Sequence, residues 1–178
     1  MRERCAKEYN LSEMPILDAH TVEVFSHSPE QTRRVGMRLG ALLQPGDLVC
    51  LRGELGAGKT TLVQGVAQGW GSLDPVSSPT YVLVNLYRRP EGSELFHLDA
   101  YRLDSAPEAE ELDIDGMLAR GALVVEWPER VEAALPREGL WASFDIAEDD
   151  QRDMRFDARG ARYEALLNTL RRGVYGGD

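Results

Sequence analysis

The chain has very little lysine, cysteine or histidine. Its only lysines are Lys7 and Lys59, its only cysteines Cys5 and Cys50, and it has three histidines in 178 residues. Two cysteines so far apart make neither a paired metal motif nor a disulfide framework. Cys50 falls inside an apolar run, as a buried free thiol does, which suits a reducing cytoplasm. His97 has no second His or Cys at ligand spacing, so it reads as a packed or hydrogen-bonded side chain and not a metal ligand. Basic residues fall short of acidic ones, 20 against 30, for a net charge of −10. Such a chain is repelled on average by nucleic-acid backbones, which argues against strong independent binding to them. The pairs Arg33-Arg34, Arg88-Arg89 and Arg171-Arg172 read as solvated surface, with a local basic patch as the alternative. No apolar run reaches the length of a membrane span, and Met1 to Asp18 lacks the apolar region of a secretory signal. There is no internal repeat and no low-complexity segment.

What is present is a phosphate-binding signature. Gly53-Glu54-Leu55-Gly56-Ala57-Gly58-Lys59-Thr60 fits G-x-x-x-x-G-K-[ST]. The pattern needs a strand before it and a helix after it. Leu48-Val49-Cys50-Leu51 supplies the strand, opened by the turn pair Pro45-Gly46. Leu62, Val63, Val66, Ala67 and Trp70 supply one apolar helical face. In such a loop the glycines allow a tight path that turns backbone N–H groups toward phosphate oxygens, and the helix adds its positive end. Lys59 then reaches the β- and γ-phosphates, and the Thr60 hydroxyl is offered to Mg²⁺. Neither lysine lies in an Asn-Lys-x-Asp guanine-reading motif, so ATP is favoured over GTP.

The other elements surround this site. Residues 1–20 read as an N-terminal extension, 21–172 as one P-loop domain and 173–178 as a flexible tail. Thr21 to Phe25 alternates like an edge strand. Ser28-Pro29-Glu30-Gln31 starts a helix, with Ser28 as N-cap, Pro29 in the first turn and Gln31 closing a capping box. Gly69 to Pro79 is a loop. Tyr81 to Tyr87 and Glu94 to Leu98 form a hairpin, and Ser105-Ala106-Pro107-Glu108 opens a short acidic helix. Ala122 to Glu126 is an apolar strand and Pro128 to Leu135 a short helix. Trp141 to Ile146 pairs antiparallel with Met154 to Ala158, and Arg162 to Arg171 is a closing helix. This order predicts an α/β, three-layer P-loop fold, a mixed parallel and antiparallel sheet flanked by helices.

A P-loop ATPase needs an acid near Mg²⁺, and two stand at strand ends: Asp99 and Glu126. One would hold the ion and the other orient or activate water. Thr80 lies in a loop where a hydroxyl can sense the γ-phosphate, or it makes a simple turn into a strand. Trp127 either covers the site, serves as a partner contact or packs into the core.

Taken together, the P-loop through Thr61, Ser78-Pro79-Thr80-Tyr81, His97-Leu98-Asp99-Ala100-Tyr101-Arg102 and Glu126-Trp127-Pro128 resemble the bacterial TsaE (YjeE) family. The resemblance runs from about Thr21 to about Leu170. It implies a small cytoplasmic ATPase that works with a TsaB–TsaD pair in making threonylcarbamoyladenosine in tRNA, contacting tRNA only through that complex. It also implies ATP and Mg²⁺ as cofactors. Gly53 to Thr61 would bind nucleotide, and Thr60 and Glu126 would form the metal site. Asp99 would be a catalytic or metal-shell acid, Thr80 a switch-like threonine and Trp127 a functional aromatic. The family usually has Asp where this chain has Glu54. Two other functions fit a P-loop: a small-molecule kinase, which would need a second pocket and an arginine-bearing lid, and an ATP-gated interaction module in which hydrolysis is incidental.

Overall fold

Leu48, Val49, Cys50 and Leu51 are all fully buried, as a strand covered on both faces requires. They belong to the central strand of the computed structural model, which describes residues 20–74, 83–103, 108, 111–148 and 150–176. The strands are β1 (Thr21–Ser26), β2 (Leu48–Gly53), β3 (Val84–Arg88), β4 (Glu94–Asp99), β5 (Gly121–Glu126), β6 (Gly139–Glu148) and β7 (Gln151–Arg159). The helices among the described residues are α1 (Pro29–Leu42), α2 (Lys59–Trp70), α3 (Ile114–Arg120) and α4 (Ala161–Tyr175). All seven strands form one sheet in the order β1-β7-β6-β2-β5-β4-β3. Strands β6, β2, β5 and β4 run parallel, while β1, β7 and β3 add antiparallel pairs at the two edges. The α/β class and the mixed sheet expected from the sequence are what the structure has.

Strand alternation sorts the core into two layers. Val49 and Leu51 of β2, Leu95 of β4, and Ala122 and Val124 of β5 pack with α1, α2 and α4. Leu48 and Cys50, Phe96 and Leu98, and Leu123 and Val125 pack on the opposite face with Ile114 and Met117 of α3. Burial of each large aliphatic side chain in these layers stabilises the fold by about 1.5–3 kcal/mol.

Helices α1 and α2 lie unusually close because glycines face backbone across the contact. A Cβ on Gly36 would stand 2.3 Å from the Leu62 carbonyl oxygen, and one on Gly40 2.0 Å from that of Val66. In return, Cβ atoms on Gly65 and Gly69 would stand 2.1 and 1.9 Å from the carbonyl oxygens of Arg33 and Met37. The P-loop helix is therefore seated directly on the backbone of α1.

The turn that feeds β2 is tied to α4. Arg162 donates to both carboxylate oxygens of Asp47, at 3.0 and 2.6 Å, and to the Leu42 carbonyl. Asp47 also accepts the Gln44 amide, and the Leu48 amide donates to the Tyr163 hydroxyl.

Several local expectations need correction. Ser28 caps α1 as expected, accepting the Gln31 amide, but the Gln31 side chain accepts from His27 and not from Ser28 itself. Helix α2 runs to Trp70, as its apolar face implied, so the loop expected from Gly69 begins only at Gly71, whose φ of +85° ends the helix. Pro128 to Leu135 is not one helix but two 3₁₀ turns, Pro128–Arg130 and Glu132–Ala134. Val131, at φ −129°, breaks the helical path between them. The closing helix extends to Tyr175, so residues 173–175 belong to it and not to a tail. Helix α3 was not anticipated. Its N-cap Asp113 accepts the Gly116 amide. The Ser105 to Pro107 helix start lies outside the described residues.

Candidate functional site

Strand β2 delivers the chain to the rim of the sheet between two parallel neighbours, β5 and β6. The loop that follows needs glycine for its backbone shape. Gly53, Gly56 and Gly58 have φ of +143°, +79° and +101°, values that side-chain-bearing residues rarely adopt. At Gly53 packing adds a second reason, since a Cβ there would meet the Phe144 carbonyl oxygen at 2.8 Å. Glu54, Leu55 and Gly56 form the exposed crest, whereas Ala57 is buried beneath it. Gly58 caps α2, and Lys59, Thr60 and Thr61 make its first turn.

Lys59 is folded back into this loop. Its ammonium donates to the carbonyls of Gly53, at 2.6 Å, and Glu54, at 2.8 Å. The Trp127 ring lies 4.2 Å from Nζ, a cation–π arrangement, and Tyr101 packs on Trp127 with ring centroids 5.0 Å apart. Burial pushes the lysine below its ordinary pKa, while Glu126, Asp99 and Glu129 draw it back up. Trp127 is the only non-glycine residue among those described with positive φ, at +58°. Its amide donates to the Leu51 carbonyl at 3.2 Å, although a residue before proline ordinarily favours extended backbone. Trp127 thus lies over the site while also packing against the core layer on the α3 side of the sheet.

The two strand-end acids are brought together. Asp99 and Glu126 are register partners on parallel strands, so they leave the sheet side by side. Glu126 is 3% exposed, and its carboxylate accepts the Thr60 hydroxyl at 2.9 Å (Oε1) and 3.2 Å (Oε2). Asp99 is half-buried, and its Oδ1 accepts the Tyr101 amide, closing the turn after β4. Thr80 lies outside the described residues.

Two residues near the loop escaped the sequence reading as site members. His97 is hydrogen-bonded as expected, but its partner is Glu126, with Nε2 2.9 Å from Oε1. The signal was present in the strand period: His97 precedes Asp99 by two, so both face the layer under α2. Arg152 of β7 donates to the Gly56 carbonyl at 3.3 Å, and its side chain lies beside Gly58. A residue so far along the chain gave no local sign of reaching the loop.

These groups fit a Mg–nucleotide. The glycine turns, the loop-directed lysine and the helix start match a phosphate cradle. Thr60 and Glu126 offer oxygen donors only, as a hard divalent ion prefers. Among the described residues no cluster of three or more His, Cys, Asp or Glu could cage a metal alone. A few protein oxygens shared with phosphates is the usual way Mg²⁺ is held. No described helix is long and apolar enough to cross a membrane.

Comparison with known proteins agrees with this geometry. The family model described as "Threonylcarbamoyl adenosine biosynthesis protein TsaE" matches residues 26–155, which include the P-loop, Asp99, Glu126 and Trp127. The tRNA threonylcarbamoyladenosine biosynthesis protein TsaE of Bacillus subtilis (strain 168) is 39% identical over 147 residues, spanning 82% of this chain and 90% of that protein. The Streptomyces coelicolor protein of the same name is 44% identical over 123 residues, 68% of this chain and 83% of its own length. Among solved structures, the crystal structure of Bacillus subtilis YdiB aligns with a TM-score of 0.72 at 33% identity. That alignment covers 86% of this chain and 95% of YdiB. With a family model matched over most of its length and relatives at this identity, the chain belongs to the TsaE family.

Proposed function

We propose that the chain is a Mg²⁺-dependent ATPase serving threonylcarbamoyladenosine modification of tRNA. It would act in the cytoplasm beside a TsaB–TsaD-like transferase complex and meet tRNA only through that complex. The relatives named above carry this biosynthesis in their names. The observation that carries the reading is the pairing of Thr60 with Glu126 at the mouth of the P-loop. It joins the hydroxyl that a P-loop offers to Mg²⁺ with a buried strand-end carboxylate.

In this reading the loop amides and Lys59 bind the phosphate chain, exchanging the Gly53 and Glu54 carbonyls for phosphate oxygens. Thr60 and Glu126 would hold Mg²⁺, which supplies charge neutralisation for the β- and γ-oxygens. Asp99 beside them orients or deprotonates the attacking water. Trp127 and Tyr101 shield the lysine from solvent. Thr80 remains the proposed γ-phosphate sensor. The acidic surface suits a protein that docks on other proteins and leaves tRNA to them.

The test is hydrolysis by the purified chain, alone and with the partner complex, following free phosphate. Slow release alone and faster release with partners is expected. Phosphate transfer to a metabolite with little hydrolysis would favour a kinase, and full support of modification without hydrolysis would favour an ATP-gated module.

A further inference from the structure

We propose that His97 is a positioning residue for Glu126, fixing its carboxylate against Thr60; this rests on the ATPase reading above. Glu126 has three rotatable side-chain bonds and stands at the end of a strand, where nothing local dictates its direction. In the structure that direction is set by two donors from separate elements. Thr60 Oγ1 bonds Oε1 from the start of α2, and His97 Nε2 lies 2.9 Å from the same oxygen from within β4. Lys59 does not share this task, because its ammonium is given to the loop carbonyls.

His97 is suited to hold rather than to react. It is 1% exposed, with Nε2 turned to the Glu126 carboxylate. Strand pairing fixes its backbone on both sides, opposite Asn85 of β3 and Val124 of β5. The Tyr87 ring stacks near it, with centroids 6.5 Å apart and planes 20° apart. Among the described residues its buried Nδ1 has no hydrogen-bond partner, and the ring's polar connection runs through Nε2. A carboxylate can only accept, so Nε2 carries the hydrogen. Partners that orient a ligating carboxylate in this way are worth about 10- to 100-fold in metal affinity or activity.

The test compares His97→Leu, which removes the donor, with His97→Gln, whose amide nitrogen reaches the place of Nε2. Glu126→Ala is run beside them. Hydrolysis is measured across Mg²⁺ concentrations, ADP binding is measured in Mg²⁺ and in EDTA, and folding is followed by thermal unfolding. The expected result for His97→Leu is a kcat lower by about 10- to 100-fold and a matching rise in the Mg²⁺ needed for half-maximal binding. ADP binding in EDTA should be unchanged, and His97→Gln should recover most of the loss. In the nucleotide-free wild type, nitrogen-15 NMR should show His97 as the Nε2–H tautomer, altered in Glu126→Ala. Unchanged Mg²⁺ dependence in His97→Leu, equal impairment of the Leu and Gln variants, or the Nδ1–H tautomer would overturn the proposal. If Glu126→Ala itself leaves Mg²⁺ dependence intact, the ATPase reading of that carboxylate fails first, and the positioning role with it.

Discussion

Thr60 Oγ1 and Glu126 Oε1 meet at 2.9 Å although the residues are 66 positions apart in the chain. Parallel pairing of β2 with β5 makes this possible by setting the end of β5 beside the P-loop. Glu126→Gln keeps the size of the side chain and removes its charge. We expect it to lower kcat for ATP hydrolysis by about 100-fold, on the order of 2.7 kcal/mol, with little change in thermal stability. Thr60→Ala should act in the same direction, and the double variant should lose much less than the product of the two losses. Steady-state kinetics of all three checks this; fully multiplicative losses would show that the two groups act separately.

The glycine seam between α1 and α2 and an exposed glycine on α4 predict opposite outcomes for one kind of substitution. Gly40→Ala would place a methyl 2.0 Å from the Val66 carbonyl oxygen, so the helices must separate. Overpacking of this sort costs about 1–3 kcal/mol and exceeds the gain in helix propensity. Gly173→Ala sits on the exposed side of α4, where a Cβ finds its nearest neighbour, Arg38 Cδ, at 3.6 Å. That change should stabilise by about 0.5–1 kcal/mol. Urea unfolding of both variants decides the matter.

Cys50 predicts a dependence on alkaline pH. Burial pushes its thiol from 9.0 up to about 12, against a partial pull downward from Arg159 and Arg52. Between these values the unfolded chain has lost a proton that the folded chain keeps. The thiol's contribution is therefore fully present below pH 9 and is lost as pH rises through about 12. Cys50→Ala removes this slope and leaves a small cavity that is independent of pH. The stability gap between wild type and variant should narrow from pH 8 to pH 10.5, followed by urea unfolding. A constant gap would contradict the burial argument.

Arg162→Ala would leave the buried Asp47 carboxylate with the Gln44 amide as its remaining hydrogen-bond donor among the described residues. Loss of a charged hydrogen-bonded partner of this kind costs about 2–3 kcal/mol. Because Asp47 and Leu48 lead into the P-loop strand, the denaturation midpoint should fall while the KM for ATP stays near the wild-type value. A raised KM with unchanged stability would place Arg162 in nucleotide binding instead.

Much of this architecture was legible in local patterns. The apolar run before Gly53, the helical face after Lys59 and the apolar run Ala122 to Val125 ending in Glu126 report strand, helix and strand without help from distant residues. What escaped depends on distance or on context. Gly36, Gly40, Gly65 and Gly69 look like weak points in isolated helices, and only the packed pair shows that each faces a carbonyl. The segment after Trp127 has helix-forming residues, yet Trp127 enters in the left-handed region and Val131 leaves the helical range, so only short turns form. The strand period puts His97 on the face of Asp99 but does not show its partner, Glu126 of β5, and Arg152 joined the site through hairpin geometry that local periodicity does not carry.

The most direct measurement is reconstituted threonylcarbamoylation of tRNA by a TsaB–TsaD pair over many turnovers, with this chain as wild type, as Glu126→Ala, or omitted. ATP is compared with a non-hydrolysable analogue supplied to this chain. Sustained modification with wild type and ATP, and stalled modification in every other arm, is the expected result. Equal modification with the chain omitted, or with Glu126→Ala in its place, would contradict the proposed role.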